Sequence, residues 1–107
     1  MLNPDQWSTI RNLVAWLDAE NGRSPDEISL RILKLSEEAG EAAQAWIGVR
    51  GQNPRKGITH TAADVADELC DVIVTAAVAL ASISDDPAAH LDAKLAKIAA
   101  RSQAVDA

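Results

Sequence analysis

Two short stretches of this chain carry carboxylates at helical spacing. Glu37, Glu38 and Glu41 form the first, and Asp64, Asp67, Glu68 and Asp71 the second, with 26 residues between Glu41 and Glu68. Each residue of an α-helix turns by about 100°, so positions three and four apart share a face. Glu37 and Glu41 are an i,i+4 pair, while Glu38 and Glu41, and Glu68 and Asp71, are i,i+3 pairs. Two helices that aim carboxylates at one point bring like charges together, and a counter-ion relieves that repulsion. Oxygen-only donors suit a hard divalent ion, Mg²⁺ or Mn²⁺, better than zinc, which prefers nitrogen and sulfur. A di-iron bundle would ask for Glu-x-x-His motifs. The chain has only His60 and His90, and neither follows a Glu by three residues. A solvated acidic face is the ordinary alternative, and it applies best to Asp64 and Asp67.

Four helices have to position these groups. The first follows Asn3-Pro4, a cap with proline at the first helical position, and stops at Asn21-Gly22. The second starts at Ser24-Pro25-Asp26-Glu27, where Ser24 and Glu27 match a capping box. Ile28, Ile32, Leu35, Ala39, Ala42 and Trp46 mark one apolar stripe, and Leu30 and Leu33 lie toward Glu37 and Glu41. Apolar residues on two sides predict a helix covered on two sides, with Trp46 in the core. Gly48 to His60 reads as a loop, made locally basic by Arg50, Arg55 and Lys56. The third helix starts near Thr59 to Thr61 and runs to about Ile83, apolar nearly all round from Leu69 onward. That pattern predicts a central helix, in which an ionised Asp71 is costly unless paired or metal-bound. Ser84-Asp85-Asp86-Pro87 breaks the chain and starts the fourth helix. Leu91, Leu95 and Ile98 form its apolar face, Lys94, Lys97 and Arg101 its basic one, and the last few residues are expected to fray.

Composition narrows the function classes. At 107 residues, 48% of them apolar and 3% aromatic, the chain is expected to fold as one helical domain over residues 1–107. A net charge of −6 disfavours nucleic acid as a partner. It does not disfavour a polyphosphate, because a bound metal inverts the local field. Cys70 is the single cysteine, so no disulfide forms within the chain, and it reads as a small buried hydrophobe. The longest apolar stretch, Val72 to Ile83, is shorter than the ~20 residues that span a bilayer. No leader is evident at Met1-Leu2-Asn3-Pro4-Asp5, and a cytoplasmic location without membrane contact is expected.

The order Glu-Glu-x-x-Glu, then Glu-x-x-Asp on a following helix, resembles the MazG-like all-α nucleotide pyrophosphohydrolases. Glu37, Glu38, Glu41, Glu68 and Asp71 carry the resemblance, with Lys34-Leu35 before the first motif and an apolar run from Val72 after the second. It extends over roughly Trp7 to Arg101, although only the two motifs are specific. What it implies is a four-helix-bundle-like fold with a core shared between subunits, as a homodimer or a dimer of dimers. The implied reaction is Mg²⁺-dependent, (d)NTP plus water giving (d)NMP and pyrophosphate, as in clearing unwanted nucleotides from the pool. Glu38, Glu41, Glu68 and Asp71 are then metal ligands, and Glu37 the general base or an outer ligand. Five carboxylates exceed the needs of one divalent ion, which leaves room for more than one. Lys34, Arg50, Arg55, Lys56, Lys94 and Arg101 are the candidate phosphate and nucleotide contacts. Ile98 stands where the family has an Asn between the two basic residues of the last helix, a departure that bears on substrate choice. Two rivals remain: a non-catalytic helical interaction module, and an enzyme acting on another pyrophosphate linkage, such as a nucleotide sugar or phosphoribosyl-ATP.

Overall fold

Local punctuation sets the helix ends. The computed structural model describes residues 1–106, with side chains through residue 103. Among them are four α-helices and no strand: α1 (Pro4–Asn21), α2 (Pro25–Arg50), α3 (Ala62–Ile83) and α4 (Pro87–Asp106). Asn3 and Gln6 close a reciprocal capping box at α1, and Thr61 and Asp64 close another at α3. At α2 only half of the expected box forms. Ser24 accepts from the Glu27 amide, but the Glu27 carboxylate turns along the helix to Arg31. Asp86 accepts from the Ala89 amide at 3.2 Å and starts α4. The expected fraying falls partly on Ala107, outside the described residues, and the helix persists to Asp106.

The α2–α3 hairpin is the frame of the molecule. Its ends are fixed by Arg31 against Ser82 and by the Thr59 amide donating to the Gly48 carbonyl at 3.0 Å. Among the residues withdrawn from solvent are Arg31, Leu35, Glu38, Ala42, Ala45 and Gly48 on α2 and Val65, Glu68, Val72, Thr75, Ala79 and Ser82 on α3, while Ala77 of α3 is buried against α1. Both series step by threes and fours, as along the seam of two packed antiparallel helices. The seam is polar at Arg31, Glu38 and Glu68 and small at Ala42, Ala45, Gly48 and Ala79. It differs from the expected stripe by about one position. Ile32 and Trp46 face outward, because the small residues, not the large ones, let the two helices approach.

Helix α2 also runs further than its glycines suggest. It continues through Gly48 to Arg50 and is capped by Gly51 at φ +60°. Gly48 is needed for contact, since a Cβ there would collide with the His60 ring and lie 2.5 Å from Thr59 Oγ1. Gly48→Ala is therefore expected to displace the returning loop and destabilise the fold by about 1–3 kcal/mol, measurable by urea unfolding.

Helix α1 lies across α3, with Trp7 and Ile10 packed on Ala77. Its link to α2 is a polar clasp. The Arg31 side chain, 5% exposed, donates from Nε to Glu27 at 2.8 Å and from Nη1 to Asp18 at 2.9 Å and to Ser82 Oγ at 3.2 Å. Its Nη2 donates to the Gly22 carbonyl at 3.0 Å. Arg23 donates to Asp18 at 2.7 Å and to the Ser82 carbonyl. Hydrogen bonds from Arg23 and then Arg31 outweigh partial burial and hold the Asp18 carboxyl below its ordinary value. Helix α4 docks by its first turns, where Ala88 and Leu91 meet the Trp7 cluster. From Asp92 to Gln103 every residue is exposed. The radius of gyration, 17.1 Å, exceeds the roughly 13 Å of a compact chain of this length.

Burial on all sides, expected for α2 and α3, is not found within one chain. Leu30 and Leu33 are each 63% exposed and Ile73 58%. Asp71 and Cys70 are exposed too, because this stretch of α3 has a neighbour on its α2 side only.

Candidate metal centre

The seam places Glu38 and Glu68 between the two helices, and the turn from Glu38 to Glu41 adds a third carboxylate. One oxygen from each of Glu38, Glu41 and Glu68 lies within 4.8 Å of the others. Glu38 and Glu68 are partly buried, Glu41 exposed. The Oε2 atom of Glu68 is buried without a hydrogen-bond donor. A buried carboxylate oxygen normally has such a partner, since leaving it bare costs about 1–3 kcal/mol or more. Three converging carboxylates, one of which also carries a buried oxygen without a donor, offer oxygen ligands only and fit a hard divalent cation. By the donor set, Glu38, Glu41 and Glu68 are the residues that would hold it.

The other expected ligands and base stand around this group. Asp71 is exposed and outside the close set, and three residues of helix place it about 60° around α3 from Glu68. Glu37 is exposed on the rim, with Lys34 Nζ 3.9 Å from its carboxylate. Lys34 also reaches Glu38 at 3.6 Å, where the carboxylate side chain is only 12% exposed. Asp64 is committed to the α3 cap, and hydrogen bonds from the Thr61 backbone and side chain lower its pKa. Asp67 is exposed on the first turns of α3.

Of the candidate basic residues, Lys34 alone forms an ion pair with the carboxylates among the described residues. Arg50 ends α2, and Arg55 and Lys56 lie on the exposed return loop. That loop is ordered by the Asn53 side chain and carbonyl, which accept from the amides of Arg55, Lys56 and Gly57. Lys94 and Arg101 lie on the free part of α4, as does Ile98.

An apolar cleft opens beside the centre. It measures about 430 Å³ and is walled by Leu13, Trp16 and Leu17 of α1, Leu30 of α2, and Val74 and Val78 of α3. Trp16 is 60% exposed at its rim. Lys34 lines the cleft as well as bonding Glu38, so cleft and carboxylates adjoin. Trp16 and Arg31 were not foreseen as site residues. By pattern alone Trp16 is an apolar residue of α1 like any other, and Arg31 falls between the two apolar sides of α2. Its signal was the i,i+4 spacing from Glu27. Compared with known protein families, with curated proteins and with solved structures, the chain finds no match in any of the three.

Proposed function

We propose that this chain is a Mg²⁺-dependent nucleoside triphosphate pyrophosphohydrolase of the MazG-like kind, converting a (d)NTP and water to a (d)NMP and pyrophosphate. The observation that carries the reading is the convergence of Glu38, Glu41 and Glu68 around an orphaned Glu68 oxygen. A divalent ion bound there supplies charge neutralisation and orientation of phosphate oxygens. Glu37, exposed on the rim, takes the proton of the water that attacks the α-phosphorus, and the bond to the β-phosphate oxygen breaks. Lys34 turns from its carboxylate partners to a phosphate when substrate arrives. Asp71, one turn on along the same helix, would be a further ligand. The adjoining cleft, apolar and rimmed by Trp16, suits a base.

A second copy completes the fold in this reading. Leu33 and Ile73 are large apolar side chains that stay more than half exposed within one chain. A homodimer or a dimer of dimers, its core shared between subunits, covers them. Light scattering after gel filtration is expected to give at least twice the mass of 11.3 kDa, and Leu33→Asp to lower it. A wild-type mass of one chain would remove the shared core from the proposal.

The function itself is tested on a panel of NTPs and dNTPs with Mg²⁺ or EDTA, reading pyrophosphate against orthophosphate, with Glu41→Gln as the control for contaminating phosphatases. Metal-dependent pyrophosphate release that the variant lacks supports the reaction. Orthophosphate alone moves the scissile bond, and no turnover despite metal binding favours the non-catalytic module.

A further inference from the structure

The lining of the cleft holds a donor and an acceptor side by side. Arg31 and Glu27 both line it, joined by the 2.8 Å bond from Arg31 Nε to Glu27 Oε2. A guanidinium has five N–H groups. Among the described residues, four of those of Arg31 have acceptors, in Glu27, Asp18, Ser82 and the Gly22 carbonyl, and the remaining one is on Nη2. The side chain is 5% exposed, so that N–H has little access to bulk water. The Glu27 side chain is 13% exposed and uses one carboxylate oxygen, leaving the other to accept.

We infer that Arg31 and Glu27 read the edge of the base, and that they select bases with a keto oxygen next to a ring N–H. The orientation rests on the pyrophosphohydrolase reading, with the phosphates at the carboxylates. Arg31 lies seven residues before Glu38, or about 10 Å along the axis, the span of a nucleoside from its 5′ oxygen to the far edge of its base. Uracil, thymine, guanine and hypoxanthine present an acceptor and a donor on that edge, which Arg31 and Glu27 complement. Cytosine and adenine present the reverse order, an amino donor beside a bare ring nitrogen. They would set N–H against N–H and lone pair against carboxylate, leaving desolvated groups unpaired. Asn21 also lines the cleft, but an amide both donates and accepts and does not discriminate.

The test uses nucleosides, which carry no phosphate, and so does not depend on turnover. The wild-type protein, labelled with ¹⁵N, has three tryptophan indole N–H signals to follow, from Trp7, Trp16 and Trp46. Uridine and guanosine are expected to shift the Trp16 signal and to bind at least about tenfold more tightly than cytidine and adenosine, respectively, one well-made hydrogen bond to a charged group being worth that factor. Arg31→Lys, which loses the planar fork, is expected to reduce the preference to about twofold or less. Should that variant not fold, the wild-type ratios decide alone. Equal binding of keto and amino nucleosides would overturn the inference, as would shifts confined to Trp46. A Trp16 signal that responds to protein dilution and to no nucleoside would also overturn it and assign the cleft to a second copy. A keto preference without pyrophosphate release from any NTP would keep the base site and remove the hydrolase reading. Release without preference would do the reverse.

Discussion

Glu68→Gln is expected to abolish metal-dependent pyrophosphate release and, in the absence of metal, to make the protein more stable. Both effects come from one carboxylate. Glu68 Oε2 is buried without a donor, beside two more carboxylates whose oxygens lie within 4.8 Å. Without a cation, the wild type holds converging negative charges with only Lys34 near them, and Lys34 is 3.6 Å from Glu38. An amide at position 68 removes one charge and brings N–H donors to Glu38 and Glu41. The gain is about 1–2 kcal/mol, which in a chain of this size raises the melting temperature by roughly 4–8 °C per kcal/mol. With Mg²⁺ the order reverses. The wild type gains stability by binding a ligand that the unfolded chain does not hold, and the variant gains little.

Catalysis should respond more strongly. Loss of an outer-shell partner of a metal costs 10–100-fold, so loss of a ligand is expected to lower turnover by at least about 10²-fold. Thermal melts of both proteins, with EDTA and with a Mg²⁺ series, measure the first part. A Glu68→Gln protein less stable than wild type in EDTA, with no Mg²⁺ stabilisation of the wild type, would mean that the carboxylates are structural. Glu38→Gln makes a useful companion, because it also deprives Lys34 of its closer partner.

The sequence carried the helices more clearly than the surfaces they bury. Asn3, Ser24, Thr61 and Asp86 act at short range, so the caps could be read from a few neighbouring residues, and all four helix starts follow directly. The Glu38, Glu41 and Glu68 set was also legible, since two of its members share a helix face and the third sits on the next helix. Contact partners were harder. Ile32 and Trp46 look like core residues by hydrophobicity, yet the seam runs through Ala42, Ala45 and Gly48, where close approach of two backbones matters more than side-chain area. Arg31 on that seam was invisible to any apolar pattern. Its partners are Asp18 and the Gly22 carbonyl at the end of α1, Glu27 one turn earlier on α2, and Ser82 on α3, so most of them come from other helices. Asp71 went the other way. Its apolar neighbours predicted burial, but Leu69, Ile73 and Val74 are themselves open within one chain, and a single sequence does not say which of its faces another copy would cover.

Arg31→Met is expected to destabilise the fold by about 3 kcal/mol, the second large effect, because it removes four hydrogen bonds and strands a mostly buried Glu27 carboxylate. The double variant Arg31→Met with Glu27→Leu should recover much of this, since an apolar pair in place of an ion pair is often near neutral. Urea unfolding of the three proteins at pH about 7 measures both changes, and equal stability of wild type and single variant would deny the clasp any role in holding α1. The pH dependence adds a separate sign. Asp18 titrates lower in the fold than when unfolded, so its contribution is present above its ordinary value of 3.8 and is lost as pH falls through the depressed one. Acidification below about pH 4 should therefore weaken the wild type. Because the hydrogen bond from Arg23 is the larger cause of the lowering and that from Arg31 the smaller, Arg31→Met should flatten this acid slope in part, while Asp18→Asn should remove the Asp18 share of it. The clasp thus ties α1 to the wall of the cleft by charge, and a protein with so little apolar core loses that wall when the charge is removed.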